Sequence, residues 1–276
     1  MDPEARTNET LYQRSKGVSR EGLPSAGALL GGWYTPSVSV PVESREPSRV
    51  KAMFGAISRR YDLLNHVLSL NLDVSWRRSA ARAACSLPGL RVLDLCGGTG
   101  DLSVALAQGS APPALVVCCD FSRPMLERAT PKFARTGLGA RCVAVEGDAL
   151  RLPFRDGSFD AVTVGFGVRN LVDMTAGLRE ILRVLAPGGR LVVLEFSRPP
   201  GPLLSRAYAF YLKTVVPRLG DGASGRRGPY LYLARTIGDF PEPDLLAGTI
   251  REAGFAAVGW QPLTGGIVCL HTAMKG

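Results

Sequence analysis

The segment Arg91-Val-Leu-Asp-Leu-Cys-Gly-Gly-Thr-Gly-Asp101 constrains this chain more than any other. Its apolar run, Val92, Leu93 and Leu95, reads as a buried strand, and a turn of glycines leads into a helix near Asp101. Glycine adopts positive φ without strain and, having no Cβ, lets backbone come close to a ligand. The helix behind such a turn aims free N–H groups and the positive end of its dipole at that ligand. Asp120 ends the next apolar run, Ala114 to Cys119. In a βαβ unit that spacing sets a carboxylate where a ribose diol would lie.

The turn also discriminates between nucleotides. A dinucleotide fingerprint, G-x-G-x-x-G/A, asks for a third small residue where this chain has Ser103, a rough match only. The order Asp94-x-x-x-Gly98-x-Gly100 instead resembles motif I of class I S-adenosylmethionine (AdoMet) methyltransferases, with an acid at the strand end before the glycines. AdoMet carries an ammonium and no pyrophosphate, which suits an acidic turn. The cofactor candidates are therefore Asp94, Gly98, Thr99, Gly100 and Asp120, with Thr99 able to bond the cofactor carboxylate. Phe121 can pack on the adenine ring or simply in the core. Gly147-Asp148-Ala149 follows the third strand, where Asp148 can accept from the adenine amine.

Strand and helix patterns alternate along the chain. Strands are expected at 91–96, 114–119, 141–146, 159–165 and 190–196, and helices at 100–108, 122–135, 173–186 and 203–216. Pro187-Gly188-Gly189 reads as a turn entering the fifth strand, and a helix at 243–253 precedes two final strands at 255–261 and 266–273. From Val50 to Ala84 the apolar spacing is helical, through Phe54, Ile57, Tyr61, Leu64 and Leu68. Alternation of this kind predicts a doubly wound, Rossmann-like sheet with helices on both faces. Residues 1–46 look separate: between Gly22 and Val42, ten of 21 residues are Gly, Pro or Ser, which predicts a disordered arm before a domain at 47–276.

Composition excludes several classes. No stretch of 18 apolar residues occurs, and the N-terminus has no apolar core of a signal peptide, so a cytoplasmic protein is expected. The net charge of +9 comes from 33 basic residues, five Lys and the rest Arg, dispersed rather than clustered, which does not favour a nucleic-acid partner. The six cysteines, Cys85, Cys96, Cys118, Cys119, Cys142 and Cys269, make no metal-type cluster, and neither His66 nor His271 has a partner at ligand spacing. Reduced buried thiols and no metal are expected.

Longer motifs carry a more specific resemblance. Phe54-Gly-Ala-Ile-Ser-Arg-Arg-Tyr-Asp-Leu-Leu-Asn65, with Trp76-Arg77-Arg78, is similar to the N-terminal signature of the ubiquinone/menaquinone biosynthesis C-methyltransferase family. Gly147 to Phe154, Phe159 to Asn170, Arg183 to Ser197 and Leu263 to His271 resemble its later signatures, so the likeness runs from about residue 48 to 274. It implies a class I methyltransferase fold with seven strands, the last antiparallel, N-terminal capping helices, and AdoMet-dependent methylation of a ring carbon of a polyprenylated quinol. Demethylmenaquinol is the favoured acceptor, and a polyprenyl benzoquinol of ubiquinone synthesis is the alternative. The family's cofactor contacts fall on Thr99, Asp120, Asp148 and Ala149, and a further one on Gly165, where the family often has Ser or Ala. Gly220 to Gly228 departs from the family's usual sequence and reads as a flap.

Methyl transfer from a sulfonium needs positioning, and a ring hydroxyl must ionise to make its carbon nucleophilic. Arg169, after the fourth strand, suits stabilisation of that oxyanion, since it stays protonated and is a poor base; an ion pair would explain it equally. Asn170 can orient a hydroxyl or water. Tyr61 and His66, on the capping helix, are the other catalytic candidates, His66 as the base. Leu204, Tyr208, Tyr211, Leu212, Val215 and Val216, with Arg206, Lys213 and Arg218 nearby, form a stripe suited to a lipid tail or to peripheral contact with the inner membrane face. A homodimer is left open. Rival readings are a nucleic-acid methyltransferase, a small-molecule O- or N-methyltransferase, and an inactive AdoMet-binding regulator.

Overall fold

The computed structural model describes residues 55, 61–219, 229–238 and 240–276. The expected N-terminal arm, most of the signature before Tyr61 and the expected flap at 220–228 lie outside them. The chain opens with helix α1 (Tyr61–Leu68) and α2 (Leu72–Ala84). Then come β1 (Arg91–Leu95), α3 (Asp101–Ala107), β2 (Leu115–Asp120), α4 (Arg123–Arg135), β3 (Cys142–Glu146) and β4 (Phe159–Gly165). After a 3₁₀ turn at Val168–Asn170 follow α5 (Met174–Val184), β5 (Leu185–Phe196), α6 (Pro202–Phe210), α7 (Pro229–Gly238), α8 (Pro243–Glu252), β6 (Ala256–Leu263) and β7 (Val268–Met274).

The seven strands lie in the order β3-β2-β1-β4-β5-β7-β6. β1 to β5 are mutually parallel, and β7 inserts antiparallel between β5 and β6. Chain order reverses between β1 and β4, and ligands of open α/β sheets bind at the carboxyl edge beside such a switch. The inner strands are apolar on both faces because helices cover both: Val92, Leu93, Leu95, Val116 and Val117 are buried almost completely. Burying one such side chain contributes about 1.5–3 kcal/mol. The outermost strand, β6, is largely exposed and carries Pro262, which cannot donate to a further strand.

Three local expectations are corrected. The helical stretch ending at Ala84 is broken, because Leu70 and Asn71 have positive φ (53° and 64°), so α1 turns away from α2 instead of continuing it. The strand expected to begin at 190 starts at Leu185, which pairs with Phe159; the glycine-rich segment sits inside it as an irregularity, not as a turn before it. The helix expected at 203–216 changes to a π-helical turn over Tyr211–Val215. There the Tyr211 hydroxyl donates to the Leu68 carbonyl at 2.6 Å and ties the segment to the end of α1.

The cysteines lie in or beside the sheet; all six are free thiols and five are buried. Burial pushes the Cys85 thiol up to about 11 and the Cys142 thiol to about 12, so both stay protonated and packed as small apolar groups.

Candidate active site

The glycine turn is held from below by two carboxylates. Asp94 is fully buried; its oxygens accept from the Ser103 hydroxyl at 2.6 Å and the Thr163 hydroxyl at 3.0 Å, which ties β1 to α3 and β4. Burial pushes its carboxyl up to about 6, against the two hydroxyl bonds that lower it. With no accessible surface, Asp94 braces the turn from within and presents no atom to a ligand. Asp120 accepts from the Gly98 N–H at 2.9 Å and the Ser122 N–H at 2.8 Å, so it joins the turn to the start of α4.

The glycines divide the work. Gly100 has φ +83°, and a Cβ there would meet the Phe133 ring at 2.7 Å, so its face is packed against the core. Gly98 has φ +55°, and a Cβ there would meet nothing within 4 Å. The open side of the turn is therefore the Gly98 side, where bare backbone can face a ligand. Gly165, at the end of β4, has Leu102 Cδ2 3.0 Å from the place of its missing Cβ, so a side chain there would need Leu102 to shift. Asp148 is exposed and accepts from the Leu150 N–H at 2.9 Å, Ala149 is buried, and Phe121 is half-buried. Asp94, Gly98, Thr99, Gly100, Asp120, Phe121, Asp148, Ala149 and Gly165 all lie at or just beyond the carboxyl edge of β1 to β4. These residues fit a nucleoside held by backbone and carboxylates.

Helix α1 covers this edge. Asp62 accepts from the Thr99 hydroxyl at 2.5 Å and from Lys132 Nζ at 2.8 Å, so the lid is fastened to the glycine turn and to α4. The Thr99 hydroxyl is thus engaged by the lid. Lys132 also pairs with Asp101, the first residue of α3. The side chain of Tyr61 lies outside the described residues.

Beneath the lid is a cavity of about 340 Å³. Its walls are mainly apolar: Trp76, Phe166, Phe196, Leu212, Val216 and Ile237, the first three a ring cluster with centroids 4.6–6.3 Å apart. Phe166 has φ 58°, costly for a bulky residue, and its N–H donates to the Leu194 carbonyl at 2.7 Å. Two charged places interrupt the lining. One is Asp73, which pairs with Arg77 and accepts from the Ser69 hydroxyl at 2.6 Å and interacts with His66 Nδ1 at 2.7 Å. Burial acts to raise the Asp73 carboxyl, but the Ser69 bond and the Arg77 and His66 charges prevail and hold it below its ordinary range. The other is Arg169, whose NH1 donates to Glu195 Oε1 at 2.6 Å and to the Phe166 carbonyl at 2.5 Å, and whose guanidinium lies 5.4 Å from the Phe196 ring centroid. Their side chains are 4% and 1% exposed, so Arg169 is ion-paired, as one of its two readings had it, and it also lines the cavity.

The other catalytic candidates part company. Asn170 accepts from the Tyr232 hydroxyl of α7 at 3.1 Å and sits beside Arg169 in the 3₁₀ turn. His66 lines a separate cleft between α2 and α3, with Arg77, Arg78, Arg82 and Asp101, and contacts the cavity-lining Asp73 at 2.7 Å. Sequence reasoning missed Asp73 and Tyr232 as cavity residues, and placed Tyr208 only in the stripe suited to a lipid tail. Trp76-Arg77 marked the neighbourhood of Asp73, but nothing in the spacing says which face of α2 turns inward.

Comparison with known proteins agrees with this geometry. A sequence model of the ubiE/COQ5 methyltransferase family matches residues 42–275. Demethylmenaquinone methyltransferase of Beutenbergia cavernae is 48% identical over 231 residues, covering 84% of this chain and 92% of the relative. The enzyme of that name from a Parafrankia species is 45% identical over 245 residues, covering 84% and 95%. Among solved structures, a SAM-dependent methyltransferase of Thermotoga maritima, described as a possible histamine N-methyltransferase, superposes with a TM-score of 0.56 at 20% identity, covering 81% of this chain and all of that one. That likeness bears on the fold.

Proposed function

The chain belongs to the ubiE/COQ5 methyltransferase family, and from that premise we propose that it transfers the methyl group of AdoMet to a ring carbon of a polyprenylated quinol, demethylmenaquinol above all. The observation that carries this reading is the cavity itself: an aromatic, apolar chamber under α1 that includes Phe166, next after the end of β4, with a buried arginine in its wall. A flat bicyclic diol with an isoprenoid tail needs that combination of apolar surface and a few placed polar groups.

When bound, AdoMet supplies an electrophilic methyl on a sulfonium, which the ring carbon takes as the sulfur–carbon bond breaks. The chain's residues do the rest. Gly98 offers bare backbone to the nucleoside; Asp120 and Asp148 are carboxylates at its ribose and adenine ends, and Phe121 and Ala149 are apolar neighbours. Asp94 keeps the turn in shape from within. Arg169 stabilises the ring oxyanion; its charge is largely balanced by Glu195, so it supplies direction more than net field. Asn170, oriented by Tyr232, fixes a hydroxyl or water. His66, the candidate base, is linked to the cavity wall by its 2.7 Å contact with Asp73, and only its neutral imidazole form can accept a proton. Tyr61 stands at the head of the lid. Excluding water strengthens each electrostatic contact.

Among the described residues no helix is long and apolar enough to cross a membrane. A peripheral position at the cytoplasmic face of the membrane is part of this proposal. It is supported by Leu63, Val67 and Leu70 around α1 and Leu203, Leu204 and Phe210 on α6, all exposed, of which Leu70 and Leu204 also line the cavity. The test is methyl transfer from labelled AdoMet to demethylmenaquinol and, in parallel, to a demethylated benzoquinol. Labelled menaquinol is expected; labelled benzoquinol in preference would move the chain to the alternative acceptor, and no transfer to either would end the quinol reading.

A further inference from the structure

Two buried polar atoms of cavity-lining residues have no hydrogen-bond partner among the described residues: Arg169 Nε and the Tyr208 hydroxyl. Leaving such groups unpaired away from water is costly, so a native protein keeps them where something else completes them. Three tyrosines with described side chains line this cavity. The Tyr211 hydroxyl is committed to the Leu68 carbonyl and that of Tyr232 to Asn170 Oδ1. Only Tyr208, among these three, has its hydroxyl to offer.

Resting on the quinol reading above, we infer that Tyr208 donates a hydrogen bond to a ring oxygen of the acceptor, as a partner of Arg169, and selects acceptors whose ring oxygen is free over those in which it is capped. The two groups are electrostatically coupled: the Arg169 charge favours ionisation of Tyr208, while burial opposes it and prevails, holding the phenol above its ordinary range. The hydroxyl therefore keeps its proton and remains a donor. Arg169 NH1 is already bonded to Glu195 and the Phe166 carbonyl, while Nε is buried without a partner among the described residues. A donor from α6 and one from the β4–α5 turn, in a chamber otherwise of Trp76, Phe166 and Phe196, recognise an oxygen that gains negative charge as the ring becomes nucleophilic. No bond is made or broken at Tyr208; it holds the oxyanion, and the apolar residues hold the ring.

The experiment uses the full chain with AdoMet, a short-chain demethylmenaquinol, and the dimethyl ether of that quinol as a binding probe. Wild type is expected to bind the diol more tightly than the diether. Tyr208→Phe is expected to bind AdoMet as the wild type does, to lose roughly ten- to hundred-fold in kcat/KM, the range for a hydrogen bond to a charged group, and to lose most of the diol preference. Tyr211→Phe, which removes a hydroxyl already used inside the protein, is expected to keep that preference. A Tyr208→Phe enzyme with wild-type kcat and KM, or one that weakens diol and diether equally, would overturn the inference while leaving quinol methylation standing. Equal affinity of the wild type for both probes would overturn it without any variant. A wild type that methylates no quinol would remove the reading beneath it.

Discussion

Gly98 and Gly100 stand two residues apart in one turn, both at positive φ, yet alanine at each is expected to fail for a different reason. A methyl on Gly98 meets nothing within 4 Å, so its cost is conformational. The left-handed region costs an L residue about 1–2 kcal/mol, and the stiffer unfolded chain returns about 0.4–1 kcal/mol. The net is about 1 kcal/mol, a fall in Tm of roughly 2–4 °C for a domain of this size. A methyl on Gly100 carries the same conformational cost and also overlaps the Phe133 ring at 2.7 Å and approaches Ala129 at 3.2 Å. Overpacking of that kind adds about 1–3 kcal/mol, so Gly100→Ala is expected to lower Tm two- to four-fold more. Affinity reverses the order. The Gly98 methyl stands on the open side of the turn, and AdoMet binding is expected to weaken at least about ten-fold in a protein that is still folded, which corresponds to about 1.4 kcal/mol. Thermal melts and titration calorimetry of both variants decide it. A folded Gly98→Ala that binds AdoMet like the wild type would show that the cofactor does not face this backbone, and equal Tm values for the two variants would refute the packing argument.

Three further outcomes follow from the same geometry. Replacing either Arg169 or Glu195 by Ala leaves an uncompensated buried charge and is expected to cost about 3–5 kcal/mol in denaturant unfolding; the double variant should cost less than the sum, and strict additivity would mean that the pair at 2.6 Å is not coupled. The Asp94 carboxyl, raised to about 6 by burial, is protonated in the folded state at pH values where it ionises in the unfolded chain. Its contribution is therefore complete below the unfolded value near 4 and is lost as pH rises through 6, about 3 kcal/mol in all; Asp94→Asn should remove that part of the pH dependence of Tm, and an unchanged profile would refute the assignment. Asp62→Ala should unfasten α1 from Thr99 and Lys132. Being partly exposed, these bonds are worth little to global stability, so the expected signs are faster hydrogen exchange in α1 and a raised KM for quinol at nearly constant Tm.

What could be read without coordinates was whatever repeats or clusters locally. The alternation of apolar strands and amphipathic helices located β1 to β4 to within about a residue, because side-chain period is a property of short windows. The glycine turn and Asp120 were legible because a tight turn and a strand-end acid occupy fixed offsets in one βαβ unit. The break between α1 and α2 was not, since Leu70 and Asn71 adopt positive φ only where a lid must turn over the sheet edge. Nor was the π-helical turn after α6, which is held by a bond from Tyr211 to a carbonyl 143 residues earlier.

The sequence by itself therefore determined a parallel α/β sheet, a nucleoside-type turn at its edge and the kinship carried by motifs such as Phe166-Gly-Val-Arg-Asn170. Only the tertiary structure decided that Glu195 neutralises Arg169, that Asp73 joins His66 to the cavity wall, and that, of the three cavity tyrosines with described side chains, Tyr208 has its hydroxyl without a partner among the described residues. The physical reason is range: turns and periodicity are written in neighbouring residues, whereas the pairing of a buried charge depends on which strands the fold sets side by side.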